Sequence, residues 1–204
     1  MLHRLLRIAL AIVACAALPM LATPAAAQRE VTNPPPVWSH AATATSFPET
    51  LGDFVRTTVY EYNAEGTDAS VGYDLVRGGK KLASVTLYIY PPYTGGGCAA
   101  EYGAVKDGVA QSKAYQNVKL ISEAPAPSPT GRTAGVADLA TFTYDFGFGG
   151  GQSRPVRSEA YAFCAAHGAW IVSYRATWPS DIDVSQDVAQ LFRAIDWPDT
   201  LDNR

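Results

Sequence analysis

Three side chains have the types and spacing that chemistry needs: Cys164 and His167, in a C-x-x-H spacing, and the distant Cys98. Together they offer zinc three ligands of the kinds it takes, thiolate sulfur and imidazole nitrogen. Cys98 also follows Gly95, Gly96 and Gly97 and opens a predicted helix, whose N-terminus would lower the pKa of its thiol. Paired with His167 as base, it would make a small periplasmic hydrolase or thiol enzyme. Both schemes need free thiols. Once an N-terminal leader carrying Cys15 is removed, Cys98 and Cys164 are the two cysteines left, and an even count in an oxidising compartment favours a disulfide. The bridge Cys98–Cys164 is the expectation, with no metal, cofactor or catalytic residue assigned.

Other reactive arrangements are scarce. His40 and His167 are the histidines beyond the leader, and no G-x-S-x-G, H-E-x-x-H, P-loop or strand-borne G-x-G-x-x-G is present. The glycine runs 95–97 and 149–151 lack the Lys-Ser/Thr context of phosphate loops and read as flexible connections. Asp181, Asp183 and Asp187 cluster at a predicted helix start, where the dipole favours them. Arg157 and Glu159, on one strand face with Tyr161, read as a solvated or paired edge. Tyrosine is abundant, with 11 residues, and Tyr60, Tyr62, Tyr73, Tyr88, Tyr90, Tyr144, Tyr161 and Tyr174 fall on predicted strands. Most must cover the sheet, and an exposed row would suit ligand or protein contact.

The compartment follows from the N-terminus. Arg4 and Arg7 precede an apolar run from Ile8 to Leu21, and Ala25-Ala26-Ala27 is a small-residue cleavage site. Residues 1–27 therefore read as a signal peptide; Pro19 and Pro24 argue against a spanning helix. The run Ile12-Val13-Ala14-Cys15 also resembles a lipobox, although apolar residues follow it. Removing residues 1–27 leaves 14 basic against 19 acidic residues, a net charge of −5. That excludes the basic footprint nucleic acid demands. A monomeric, periplasmic or secreted protein is expected, with a protein or small-molecule partner and no transmembrane segment after cleavage.

The elements that must position these residues read as one domain behind a leader. Residues 28–47, rich in Pro, Ala and Thr, read as flexible or extended, with Trp38 available to pin them. The domain, residues 48–204, opens with strands Phe54–Tyr62, Ser70–Val76 and Leu82–Tyr90, joined by short turns as an antiparallel meander. Pro91-Pro92 and the glycine loop lead to a helix from Cys98 to about Tyr115, weakened by Gly103 and Gly108. Strands Val118–Glu123 and Ala137–Phe146 flank a Pro-rich loop, Ala124–Gly135. Arg157 to Pro179 is a hairpin turning at His167-Gly168. A final helix buries Val184, Val188, Leu191, Phe192 and Ile195, with Asp181 and Asp183 as caps.

The run LYIYPP (Leu87–Pro92), the helix after the glycine loop, ATFTYDF (Ala140–Phe146), SYRATWP (Ser173–Pro179) and LFRAIDW (Leu191–Trp197) resemble the PsbP-like superfamily of photosystem II extrinsic proteins. The resemblance covers most of residues 50–198. It implies an α+β fold, an αβα sandwich with about seven antiparallel strands and two helices, used for binding or assembly and not for catalysis. The metal ligands of some plant members have no counterpart here. If Cys164 bonds Cys98, the Pro91–Gly97 loop sits beside the His167 turn, and the Gly147–Pro155 loop at the other end of the sheet. Tyr93, Gly95, Gly96, Gly97 and His167 are then the candidate binding residues, and Phe148 is not. A structural envelope component held by its leader is a third possibility.

Overall fold

The computed structural model describes residues 28–93 and 95–202. The expected signal peptide and its alternative at Cys15 lie outside the described residues. The strands are β1 (Arg29–Glu30), β2 (Val37–Ser39), β3 (Ser46–Pro48), β4 (Thr50–Leu51), β5 (Phe54–Glu61), β6 (Ala69–Arg77) and β7 (Lys80–Tyr90). After helix α1 (Gly97–Ala110) come β8 (Gln116–Ala126), β9 (Ala137–Phe146), β10 (Arg154–Ala165) and β11 (Trp170–Pro179). Helices α2 (Ser185–Ala194) and α3 (Asp199–Asp202) close the described chain.

Nine strands form one antiparallel sheet in the order β1-β5-β6-β7-β11-β10-β9-β8, with β4 also on β5. β2 and β3 pair separately. The meander β5–β7 arises where β-branched and aromatic residues alternate between turns. From β7 the chain crosses one face through α1, reaches the far edge at β8, and returns by hairpins through β9 and β10. β11 closes the sheet against β7, with Ser173 opposite Tyr88 and Arg175 opposite Thr86.

Alternation gives the sheet two unlike faces. The first carries Tyr73, Leu75, Val85, Leu87, Val172 and Trp178, and Val188, Leu191 and Phe192 of α2 bury against it. The second carries Ala140, Phe142, Tyr144, Val156 and Ala160 beneath α1. A small cluster of Tyr90, Cys164 and Ile171 surrounds the bridge.

The αβα sandwich of about seven strands and two helices is corrected by this architecture. The protein is mostly β, with nine strands in the main sheet. Its helices, 14, 10 and 4 residues long, cover parts of the sheet and do not form layers. The extra strands come from residues 28–51, read above largely as a leader. β1 and β4 are two-residue pairings, too short to leave a periodic signal. Trp38 and Phe47, paired across β2 and β3, are buried with ring centroids 5.8 Å apart. Arg56 donates to the carbonyl oxygens of Pro35 and Phe47, and the Tyr73 hydroxyl donates to that of Pro48 at 2.7 Å. This segment belongs to the domain. Helix α1 also stops at Ala110, short of Tyr115, because the Tyr115 ring stacks on Tyr144 at 4.1 Å.

Cys98 and Cys164 are bridged, with Cα atoms 5.8 Å apart and a sequence separation of 66. Closing a loop of that length stabilises the fold by about 4 kcal/mol through the entropy of the unfolded chain. Two outcomes follow. Alkylation of the unreduced protein should label neither Cys98 nor Cys164, and replacing both by Ser should lower the unfolding free energy by up to about 4 kcal/mol in denaturant titration. Phe47→Ala should cost about 3–5 kcal/mol if residues 28–48 are part of the core; a loss below about 1 kcal/mol would make them a loose leader after all.

Candidate functional site

Because α1 lies mainly over the β8–β10 side of the second face and reaches β11 only at its margin, the floor over β6, β7 and most of β11 is left open. Cross-strand register sets its composition. Ser70, Tyr88 and Ser173 share one row, Gly72, Thr86 and Arg175 the next, and Asp74, Ser84 and Thr177 a third. Two cavities occupy this floor. One, about 390 Å³, is lined by Tyr62, Asp68, Tyr88, Tyr90, Tyr93 and Glu101 among others. The other, about 550 Å³, has Lys81, Ser84, Thr86, Tyr115, Phe148 and Arg175 in its lining. Arg175 borders both, so the two lie end to end along β7 and β11 and are together termed the trough. From Tyr90 to Ser84 the floor runs roughly 20 Å at about 3.3 Å per residue.

The end near the bridge is aromatic and rich in hydroxyls. Tyr93 stacks on Tyr90 with centroids 5.1 Å apart, and its hydroxyl donates to a carboxylate oxygen of Asp68. The Tyr93 ring is still 70% exposed, a flat apolar surface held in place at the mouth. Burial pushes the Tyr90 hydroxyl up to about 12 and raises Tyr88 and Tyr93 too. All three therefore stay protonated at neutral pH and remain donors. Burial likewise raises Asp68, with the Tyr93 hydroxyl opposing. Glu101, on the α1 turn after the bridge, is buried.

The other end is cationic. Lys81 and Arg154 lie over the Phe148 ring at 5.6 and 5.9 Å, and Asp74 pairs with Lys81 at 2.9 Å. Arg175 is half-buried and faces the Tyr115 ring at 6.0 Å. No hydrogen bond or ion pair to a described residue engages its guanidinium.

Of the candidate binding residues, Tyr93 lines the trough. Gly95, Gly96 and Gly97 are exposed and outside its lining; Gly97 turns the chain into α1 at φ 69°, a conformation that favours glycine. His167 is exposed on the hairpin tip at φ 56° and lines neither cavity. Phe148, set aside above, lines the second cavity, because that trough extends to the Gly147–Pro155 end. Arg175 is absent from the candidates above; its alternation with Tyr174 along β11 places it on the face away from the apolar core. Cys98 and Cys164 are consumed by the bridge, so neither the zinc nor the thiol arrangement has a free sulfur. Among the described residues no three His, Cys, Asp or Glu side chains converge for a metal.

A smaller cleft, about 280 Å³, lies on the first face under α2 and is bordered by Glu159, Tyr161, Tyr174 and Arg193. Glu159 is buried, not the solvated edge its sequence neighbours imply, and accepts the Tyr174 hydroxyl at 3.1 Å. Asp187 pairs with Arg77 at 2.6 Å, and Asp183 accepts the Ser185 amide at 3.0 Å, so these acids serve the start of α2.

No known family model matches this chain, and no curated protein sequence matches it.

Burial raises the Glu159 carboxyl above the ordinary 4.5, with the Tyr174 hydroxyl and Arg157 opposing and Asp183 assisting. The folded state then binds more protons than the unfolded one from about pH 4.5 up to the raised value. Stability from this group declines as pH rises through that window. Glu159→Gln, which keeps an acceptor for Tyr174, should raise Tm at pH 7 relative to the parent, with the gain vanishing near pH 4. An equal gain at both pH values would assign the effect to packing and not to ionisation.

Proposed function

We propose that this chain is an exported, non-enzymatic binding or accessory protein whose trough over β6, β7 and β11 receives a small molecule. The observation that carries the reading is the contrast between faces. The first is largely covered by α2 and the β2–β3 hairpin, which leave only the smaller clefts of about 280 and 310 Å³ beside α2, while the second is left open over a floor of tyrosines and hydroxyls. Cavities of about 390 and 550 Å³ fall in the range of small-molecule sites, which combine apolar walls with a few placed polar groups. A disulfide across the α1 end supports it by holding one wall on a rigid base. The bridge, an apolar leader and the absence among the described residues of a helix able to cross a membrane are all compatible with export. Kinship with the PsbP-like superfamily, proposed on the five sequence motifs, supports a binding or assembly role. The thiol-enzyme alternative is weaker, since its nucleophile is held in the bridge.

A thermal-shift screen of small molecules should yield ligands whose affinity falls about 3- to 10-fold in Tyr88→Ala and Tyr93→Ala, the loss expected for one aromatic contact. His167→Ala should leave the affinity unchanged. Ligands indifferent to both tyrosines would place binding elsewhere and end this reading.

A further inference from the structure

A guanidinium is rarely taken out of full solvation without a partner, because its five donors then go unsatisfied. Arg56, the other half-buried arginine among the described residues, follows the rule, and three exposed arginines are paired as well. Arg29 binds Glu61, Arg77 binds Asp53 and Asp187, Arg132 binds Asp199 and Asp202, and Arg56 binds two carbonyls. Arg175 departs from it. It borders both cavities, half-buried, with aromatic rings such as Tyr115 near it and no ion pair or hydrogen bond to a described residue. Its row neighbours across the sheet are Thr86 on one side and Ala160 on the other, and beyond Thr86 lies Gly72. Small side chains thus leave its donors open toward the trough.

The surroundings select for negative charge. Among the described residues no carboxylate lines the 550 Å³ cavity, whereas Lys81, Arg175 and the hydroxyls of Ser84, Thr86, Thr177 and Tyr115 do. Asp74, just outside that lining, is committed to Lys81 and to the Ser84 hydroxyl at 2.7 Å. Arg154 adds a further cation over Phe148. At the other end stand the carboxyl groups of Asp68 and Glu101, and the tyrosine faces offer a platform for a ring. The trough is therefore polarised along its length.

We propose that the trough binds a small ring-bearing organic anion, with its oxyanion on Arg175 in the second cavity and its ring over the tyrosines of the first. The proposal rests on the binding reading above. A planar fork is well matched to carboxylate, sulfonate or phosphate oxygens. In a site partly shielded from water, such a charged hydrogen bond discriminates more than an exposed one does.

The test uses two fluorescent probes with the same rings, 8-anilinonaphthalene-1-sulfonate and the uncharged N-phenyl-1-naphthylamine, titrated into the oxidised protein at fixed salt. The sulfonate should bind at least tenfold more tightly, and inorganic phosphate should displace it but not the neutral dye. Arg175→Gln should weaken the sulfonate about 10- to 100-fold and leave the neutral dye unchanged. Arg175→Lys, with the charge but not the fork, should fall between. Near-ultraviolet circular dichroism confirms that each variant is folded; if Arg175→Gln is not, the two-dye comparison and phosphate competition in the parent decide. Equal binding of the two dyes, or a sulfonate affinity indifferent to Arg175→Gln, overturns the anion site. If Tyr88→Ala still weakens both dyes in that case, the trough remains a binding site for neutral rings. If neither substitution affects either dye, both readings fall.

Discussion

The pairing of β11 between β7 and β10 is the constraint on which the rest depends. Val172, Tyr174, Ala176 and Trp178 point to the first face, and Ile171, Ser173, Arg175 and Thr177 to the second. Since strand side chains alternate strictly, a slip of one residue would bury Arg175 in the core and expose Trp178. Ladders with both neighbours, unbroken over most of the strand, exclude that slip. The core on one face therefore dictates a polar row on the other. Tyr88 and Thr86 meet that row from β7 by the same rule, so the floor of the trough is the reverse side of the core.

What keeps this floor open is the course of α1. The helix packs over β10 and β9, where Ala160 and Ala140 lie beneath it and permit close approach. Its first turn is tied to β10 by the Cys98–Cys164 bridge, and Val109 is buried near its end. Tyr115 then stacks on Tyr144 and carries the chain toward β8. A helix anchored at both ends over the β9–β10 side cannot also lie over β6 and β7. The bridge thus shapes the trough by restricting one wall, beyond its effect on stability.

Much of this was legible wherever a long alternating segment spoke for itself. The meander, the hairpin turning at His167 and the amphipathic α2 follow from period and turn chemistry, and the bridge from the cysteine count. The short strands β1 to β4 were not legible, because two or three residues between prolines carry no period. Their place is set by tertiary contacts, such as Arg56 reaching the Pro35 and Phe47 carbonyls. The site was legible in part. Tyr93 and the tyrosine row pointed to it, but strand alternation cannot say which neighbouring strand supplies the opposite wall. Arg175 comes beside Thr86 through the β7–β11 pairing, across the whole α1 crossover. That pairing also joins the Phe148 end to the Tyr93 end, two loops that a reading of the hairpin alone had set in opposition.

Arg175 and Glu159 present opposite solutions to the same problem, an ionisable group on a packed sheet. Glu159 lies on the face covered by α2, accepts the Tyr174 hydroxyl, and relieves its burial by holding its proton more tightly. Arginine has no such recourse, since it stays charged in proteins. Its options are a counterion, water or a ligand. Threonine, serine or valine at position 175 would suit a strand face as well and order fewer side-chain torsions. Beyond its contact with the Tyr115 ring, fold stability thus gives little reason for a long cation there, since among the described residues no carboxylate pairs with it. Its position between an aromatic cavity and a cationic one is what the proposed anion site requires.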